Sequence, residues 1–331
     1  MRFSTARCGI ALFGLAMALL PACSSERLPV APLSPRPPLI LAFASDRPPS
    51  PPFSRDVYLY DVENPAPSFM PPNLDSPNLD GPCSLSANGR LLAFFSDRFF
   101  IGTQGTLFLY DIATGHLWQP KGVNRLFNLQ NPSLSGDGRF VAAQYQLGGA
   151  FSLLIALSEI EADTLIHVPN LNEPNATNFD PYLNGDGSLI VFAYDGARSM
   201  GGFDIRLYSV PGDSLIPLPG LNSSNNDLSP SITADGRLIA FQSSRPGGVG
   251  IIDVYVYDRV TGSMLPLPGA NTEWAEYSPV ISPDGRYLVY VTDATGGGDL
   301  RLYDIRDHQL VPIPGCNDPY YAENYPAISG R

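Results

Sequence analysis

The chain is poor in histidine, cysteine and positive charge, and each shortage closes off a class of chemistry. Its 331 residues include 3 histidines, His116, His167 and His308, none near another in sequence. That leaves no cluster with metal-ligand spacing and no histidine paired in sequence with a nucleophile. There are 4 cysteines and no CxxC pair. A phosphate loop and a dinucleotide fingerprint are absent, as is a Gly-x-Ser-x-Gly elbow. Only 20 Lys and Arg stand against 32 Asp and Glu, a net charge of −12. A field of that sign repels nucleic acid and anionic headgroups, so no nucleic-acid partner is expected. It suits basic partners or cations, and it also serves solubility alone. No segment sustains a helical period. The apolar run Ile10–Leu20 is too short and wrongly flanked to span a bilayer.

What the chain has in plenty is repetition. Gly89, Gly138, Gly187, Gly236 and Gly285 follow one another at intervals of 49 residues. Each ends an Asn-Gly or Asp-Gly pair inside the same phrase: SLSANGRLLAFF, SLSGDGRFVAAQ, YLNGDGSLIVFA, SITADGRLIAFQ, VISPDGRYLVYV. A period of this length marks a propeller or solenoid array. Four strand signals recur per unit. A short Pro-x-hydrophobic-Ser piece (strand a) runs into the Asp-Gly turn, the strongest short hairpin signal because these residues tolerate positive φ. An apolar strand b follows, as in Arg237–Phe241. Strand c alternates like a half-buried strand, as in Asp253–Asp258, and strand d carries Leu-x-x-Leu-Pro-Gly-x-Asn, as in 215–222. Four such strands make one antiparallel blade.

Residues 39–47 match strand b with no strand a before them, and Pro326-Ala327-Ile328-Ser329 supplies the missing piece at the other end. The expectation is an all-β, six-bladed propeller of four-stranded blades over 39–331, closed by pairing of the two terminal segments. Ile281-Ser282-Pro283-Asp284-Gly285-Arg286 and Asp253–Asp258 resemble the repeat of the TolB-like, WD40-like (PD40) propeller family. The resemblance implies an envelope-assembly or protein-complex role. Its matching residues are turn and core positions, so it carries no catalytic residue over. Related propellers that cleave polysaccharide use a histidine-held metal, and those in serine peptidases carry a hydrolase domain; this sequence offers the motif of neither.

Leu20-Pro21-Ala22-Cys23 resembles the lipobox of bacterial lipoproteins, which implies cleavage of a signal peptide 1–22 and lipidation of Cys23. Loss of two arginines with that peptide moves the charge from −12 to −14. Ser24 in the next position implies sorting to the outer membrane. Residues 23–38, rich in Pro and Ser, read as a tether, so the only membrane contact expected is the lipid. Cys83 and Cys316 remain. Parity suggests a disulfide in an oxidising compartment; the repeat register places them in blades 2 and 6, too far apart for one.

Several repeated residues have plain structural readings. Asp137, Asp186, Asp235 and Asp284 are expected to cap the a–b turns. Asp56, Asp204, Asp253 and Asp299, opening strand c, are expected to pair with Arg47, Arg98 and Arg245. Asn124, Asn172, Asn222, Asn271 and Asn317, with Asp75 in the same slot, read as turn residues. The d–a loops offer more, because they cross to the axis and shape one channel mouth. Three residues before the proline slot of strand a, which Cys83 fills in blade 2, stand Asp80, Asn178, Asp227, Glu276 and Glu323, with Leu129 in blade 3. Phe179, Trp274, Tyr277, Tyr320, Tyr321 and Tyr325 crowd beside them. Convergent acids and aromatics suit a cation, a basic peptide or a sugar. Ca²⁺ stays open as a ligand of such oxygens, although no EF-hand spacing exists; no other cofactor is expected. The expected activity is non-catalytic binding of an envelope protein or peptide by a monomer. The alternative is a glycan-binding or glycan-cleaving mouth using an acid pair such as Asp227 and Glu276.

Overall fold

The structure is a computed structural model that describes residues 37–48, 54–74, 76–98, 105–126, 128–146 and 152–330. The signal peptide, Cys23, the tether and Asp75 lie outside the described residues. Strands follow in chain order. β1 (Ile40–Ser45) and β2 (Asp56–Asp61) begin blade 1. Blade 2 is β3 (Asp80–Leu85), β4 (Leu91–Ser96), β5 (Thr106–Asp111) and β6 (His116–Trp118). Blade 3 is β7 (Gln130–Leu134), β8 (Phe140–Gln146), β9 (Leu153–Glu159) and β10 (Thr164–Ile166). Blade 4 is β11 (Thr177–Leu183), β12 (Leu189–Asp195), β13 (Asp204–Ser209) and β14 (Ser214–Ile216). Blade 5 is β15 (Asp227–Ile232), β16 (Leu238–Ser243), β17 (Asp253–Asp258) and β18 (Ser263–Met264). Blade 6 is β19 (Glu276–Ile281), β20 (Tyr287–Thr292), β21 (Asp299–Asp304) and β22 (Gln309–Val311). β23 (Glu323–Ile328) comes last.

Each of blades 2 to 6 is a four-stranded antiparallel sheet, and β23 pairs with β1 to complete blade 1 as expected. Blade 1 departs from the four-strand expectation. Its sheet has three strands, and among the described residues its outer edge is covered only by a bridge between Leu59 and Phe69. Pro65 and Pro67 beside that bridge withhold the N–H groups that a longer ladder needs. Closure through β1 and β23 leaves no terminal blade with an open flank.

Apolar side chains between neighbouring blades form the core, for example Leu41, Phe43, Val289, Leu302 and Ile328 between blades 6 and 1. Polar devices repeat around it. The turn aspartates cap as expected: Asp284 accepts from Ser282 Oγ at 2.6 Å and from the Arg286 N–H at 3.0 Å. Turns of successive blades are joined by backbone bonds, Gly330 to Ala87, Ala87 to Gly136, Gly185 to Ala234 and Ala234 to Pro283. The belt stops at Pro283, which has no N–H to give. Buried tyrosines of strand c reach the preceding blade: Tyr257 donates to the Pro219 carbonyl at 2.7 Å and Tyr303 to Pro268 at 2.9 Å. This explains why Leu-Pro-Gly recurs in strand d.

The repeated asparagines do more than turn the chain. Asn271 accepts from the Val254 N–H at 2.9 Å and donates to the Val254 carbonyl at 3.0 Å. Asn124, Asn172, Asn222 and Asn317 hold Leu107, Ile155, Ile205 and Leu300 in the same two-pronged way. Each satisfies a backbone donor and acceptor at the start of strand c. Asn271→Ala is therefore expected to cost about 1–3 kcal/mol, the penalty for buried groups left without partners. Urea denaturation measures it, and a loss no larger than that of an exposed-loop substitution would remove the clamp assignment.

Candidate functional site

Strand order puts the d–a and b–c loops on one face of the ring and the a–b and c–d turns on the other. The residues expected at the mouth lie on the loop face, but most of them turn inward. Asp80, Asn178, Asp227, Glu276 and Glu323 are all fully buried. Arg98 binds Asp80 at 2.8 Å, Arg245 binds Asp227 at 2.8 Å, and Arg47 binds Glu323. Each arginine also stands between two rings: Arg98 between Phe94 and Phe108, Arg245 between Phe241 and Tyr255, Arg47 between Phe43 and Tyr58. Its Nε donates to the serine two residues back, Ser96, Ser243 or Ser45. The same guanidinium reaches a loop carbonyl, Leu74, Leu221 or Cys316.

This corrects the expected pairing of the arginines. They take the acid that opens strand a, not the one that opens strand c. Both acids lie directly across from the serine, since Ser243 pairs with Asp227 on one side and Asp253 on the other. The strand-c acids are used elsewhere. Asp253 accepts the Val249 and Gly250 N–H groups, Asp204 that of Met200, and Asp56 that of Ser76. In blade 4 Gly196 stands at the arginine's position and Asn178 at the acid's. Blade 6 has Ala294 there, and Glu276 binds Thr272 and Thr292 instead.

Burial outweighs the arginines in two of these groups. It raises the carboxyls of Asp80 and Glu323 to about 7, with Arg98 and Arg47 opposing. Asp80 Oδ1 and Glu323 Oε2 are buried without a hydrogen-bond partner among the described residues, which suits a protonated carboxyl.

The axis itself is lined by a different set. Strand a carries a bulge in each blade, marked by a register shift such as that between Leu228 and Ser231. The residue before the proline adopts the left-handed conformation: Asn131, Asp180, Ser229, Ser278 and Tyr325, at φ of 46°, 48°, 49°, 50° and 53°. These residues and the prolines after them line a cavity of about 120 Å³ at the mouth. Asp180 accepts from Asn131 Nδ2 and, at 3.1 Å, from Ser229 Oγ. Gln144 Oε1 accepts the Asp180 N–H at 3.1 Å. Burial raises the Asp180 carboxyl above the usual range. Tyr182 lines this cavity and also the small one beyond it, so it closes the channel between them. Other blades have Ser84, Ser133, Ser231, Val280 and Ala327 at its place. In the sequence this ring is marked by the residue directly preceding each proline, two positions after the residues expected at the mouth.

Among the expected aromatics, Tyr320 is 87% exposed and Trp274 50% exposed, while Tyr277 is half-buried and donates to Asp293 at 3.0 Å. Tyr321 is half-buried, and Phe179 packs edge-on against Phe203. Met200, Val249 and Ile251 join the exposed set, all on b–c loops. Cys83 and Cys316 are buried free thiols. Among the described residues no group of His, Cys, Asp and Glu could hold a metal.

The architecture defines the class: a closed, six-bladed β-propeller. It resembles TolB from Acinetobacter baumannii, with TM-score 0.65 and 20% identity over 88% of this chain and 67% of that one. Putative TolB from Agrobacterium tumefaciens gives TM-score 0.58 and 15% identity over 83% and 88% of the two chains. An oligogalacturonate lyase in complex with manganese gives TM-score 0.52 and 14% identity over 78% and 70%. No protein-family model and no curated protein matches the sequence. At these identities the likeness is one of fold.

Proposed function

We propose that this propeller is a non-catalytic platform whose loop face docks a protein or peptide partner, and that it is held at the bacterial envelope by a lipid on Cys23. The observation that carries the reading is the set of exposed apolar side chains on that face. Met200, Val249, Ile251, Trp274 and Tyr320 are each at least half exposed. They lie on loops of blades 4, 5 and 6 and on the passage to blade 1. The loops of Ile251 and Trp274 touch, since a Cβ on Gly250 would meet the Trp274 carbonyl at 2.1 Å. Large apolar and aromatic side chains held on rigid loops are the usual anchors of protein interfaces. The exposed Leu165, Leu215 and Leu310 differ: they recur singly in the outer strands β10, β14 and β22, one to a blade.

The buried acids support the platform indirectly. Glu276 accepts from the Thr272 N–H and hydroxyl, and Thr272 Oγ1 in turn accepts the Trp274 N–H at 3.2 Å. A glycan-cleaving mouth built on Asp227 and Glu276 has lost both carboxylates to the interior of their own blades.

The test is photocrosslinking in cells with the intact chain. A photoreactive residue at 249 or 320 is expected to capture one partner reproducibly, and the same residue at Val260 on the turn face is not. Ile251→Ser combined with Trp274→Ala should abolish capture without lowering thermal stability. Capture that is equal from both faces, or that survives the double substitution, overturns the platform reading.

A further inference from the structure

The geometry points to a specific occupant for the axial cavity: the ammonium group of a lysine side chain, inserted by the docked partner and held by Asp180. This deepens the platform reading and rests on it.

Asp180 is the one charged residue among those lining the cavity. Its oxygens accept from the neutral donors Asn131 Nδ2 and Ser229 Oγ, which leaves lone pairs unused, and no ion pair to it exists among the described residues. Asp180 is half-buried, and a carboxylate set among apolar walls without a counter-charge favours a cation or a proton. The walls around it are apolar, formed by Pro132, Pro181, Pro230, Pro279 and Pro326, and Tyr182 closes the far end. At about 120 Å³ the cavity is well below the ~300 Å³ of ordinary small-ligand sites. It has room for a single side chain. A lysine fits both parts, with its aliphatic stem on the prolines and its charge at the carboxylate. Arginine fits less well, because its planar fork seeks both oxygens of one carboxylate, and those of Asp180 already face different neighbours.

The other titratable groups at the cavity are Cys83, Tyr182 and Tyr325. Burial raises the Cys83 thiol to about 12 and the Tyr182 hydroxyl higher still, so neither supplies a competing negative charge near neutral pH. Burial also raises the Asp180 carboxyl, and an arriving ammonium lowers it again.

The experiment titrates the full, isotopically labelled chain with n-butylammonium and with 1-butanol, its neutral counterpart, and follows the NMR signals of Asn131, Asp180 and Ser229. The ammonium should bind at least about tenfold more tightly than the alcohol. Asp180→Asn keeps the shape and should erase that preference. Equal binding of the two probes, no shift with either, or a preference that survives Asp180→Asn overturns the proposal. The two-probe comparison on the unaltered chain decides it even where the variant does not fold. The platform reading fails separately: loss of face-specific crosslinking would remove it and leave the ammonium result untouched.

Discussion

Arg245→Ala is expected to destabilise the propeller by about 3–5 kcal/mol. The guanidinium holds a fully buried carboxylate, that of Asp227, at 2.8 Å, and its own side chain is only 16% exposed. Removing one partner of such a pair strands the other in a low dielectric, which costs far more than the pair contributes. The substitution also empties the slot between Phe241 and Tyr255 and frees the Leu221 carbonyl, adding lost cation–π and hydrogen-bond terms. A fall in melting midpoint on the order of 10 °C should follow. Two controls give the number meaning. Arg139→Ala breaks an exposed pair with Glu159 and should cost less than about 1 kcal/mol. Replacing Arg245 and Asp227 together by leucine should recover most of the loss, because a buried pair exchanged for apolar side chains is often neutral. If Arg245→Ala costs no more than Arg139→Ala, the anchor contributes nothing to stability.

The same anchor shows where the sequence is readable and where it is not. Strand type, blade count and closure follow from a repeat whose turn residues and alternation have direct physical meanings, and the structure agrees with them down to the pairing of Ala42 with Ala327. The recurrence Phe-x-Ser-x-Arg at 43–47, 94–98 and 241–245 is equally visible. Its partner is not, because antiparallel pairing sets two acids across from the serine, and only the competition of loop N–H groups for Asp253 decides between them. Repetition within the chain does hold the answer, since Arg47, Arg98 and Arg245 occur in the blades whose strand a opens with Glu323, Asp80 and Asp227.

The residues that line the axis are hard to read for a related reason. In a regular strand the residues one and three positions before a proline face the same side. Here the residue directly before the proline, Asp180 or Ser229, is itself left-handed. The bulge shifts the register, so the earlier residue faces into the blade and the later one faces the axis. Nothing in Asp-Leu-Ser-Pro or Asn-Phe-Asp-Pro announces this to a reader counting by two. Positive φ at Ser229, Ser278 and Tyr325 is uncommon for such residues, and it recurs because the blades converge there on a shared axis.

Stability should fall as pH rises from about 5 to about 8. The groups responsible are Asp80 and Glu323, whose carboxyls burial raises to about 7, against roughly 4 in the unfolded chain. The sign follows from proton counting. Between those two values the folded state keeps protons that the unfolded state has lost, so deprotonation favours unfolding. The stabilisation is fully present below the unfolded value and is lost as pH climbs through the folded one. Each group contributes a slope of up to about 1.4 kcal/mol per pH unit within that window. At lower pH the slope reverses, because Asp258 and Asp304 are held below the usual carboxylate range. The Arg237 bond leads for Asp258; for Asp304, bonds from the 307 and 306 backbone and from Arg286 together overcome burial. A stability maximum near pH 5 should result. Glu323→Gln imitates the protonated form, leaving Arg47 an oxygen to bind. That variant should match the parent chain near pH 5, show a shallower decline, and exceed the parent in melting midpoint at pH 8. A parent profile flat between pH 5 and 8, or a variant that is weaker at every pH, would mean that Arg47 keeps Glu323 ionised and that the closing blade is held by a true ion pair. The distinction bears on the fold as a whole, since Arg47, just past the end of β1, and Glu323, at the start of β23, join the two segments that close the ring.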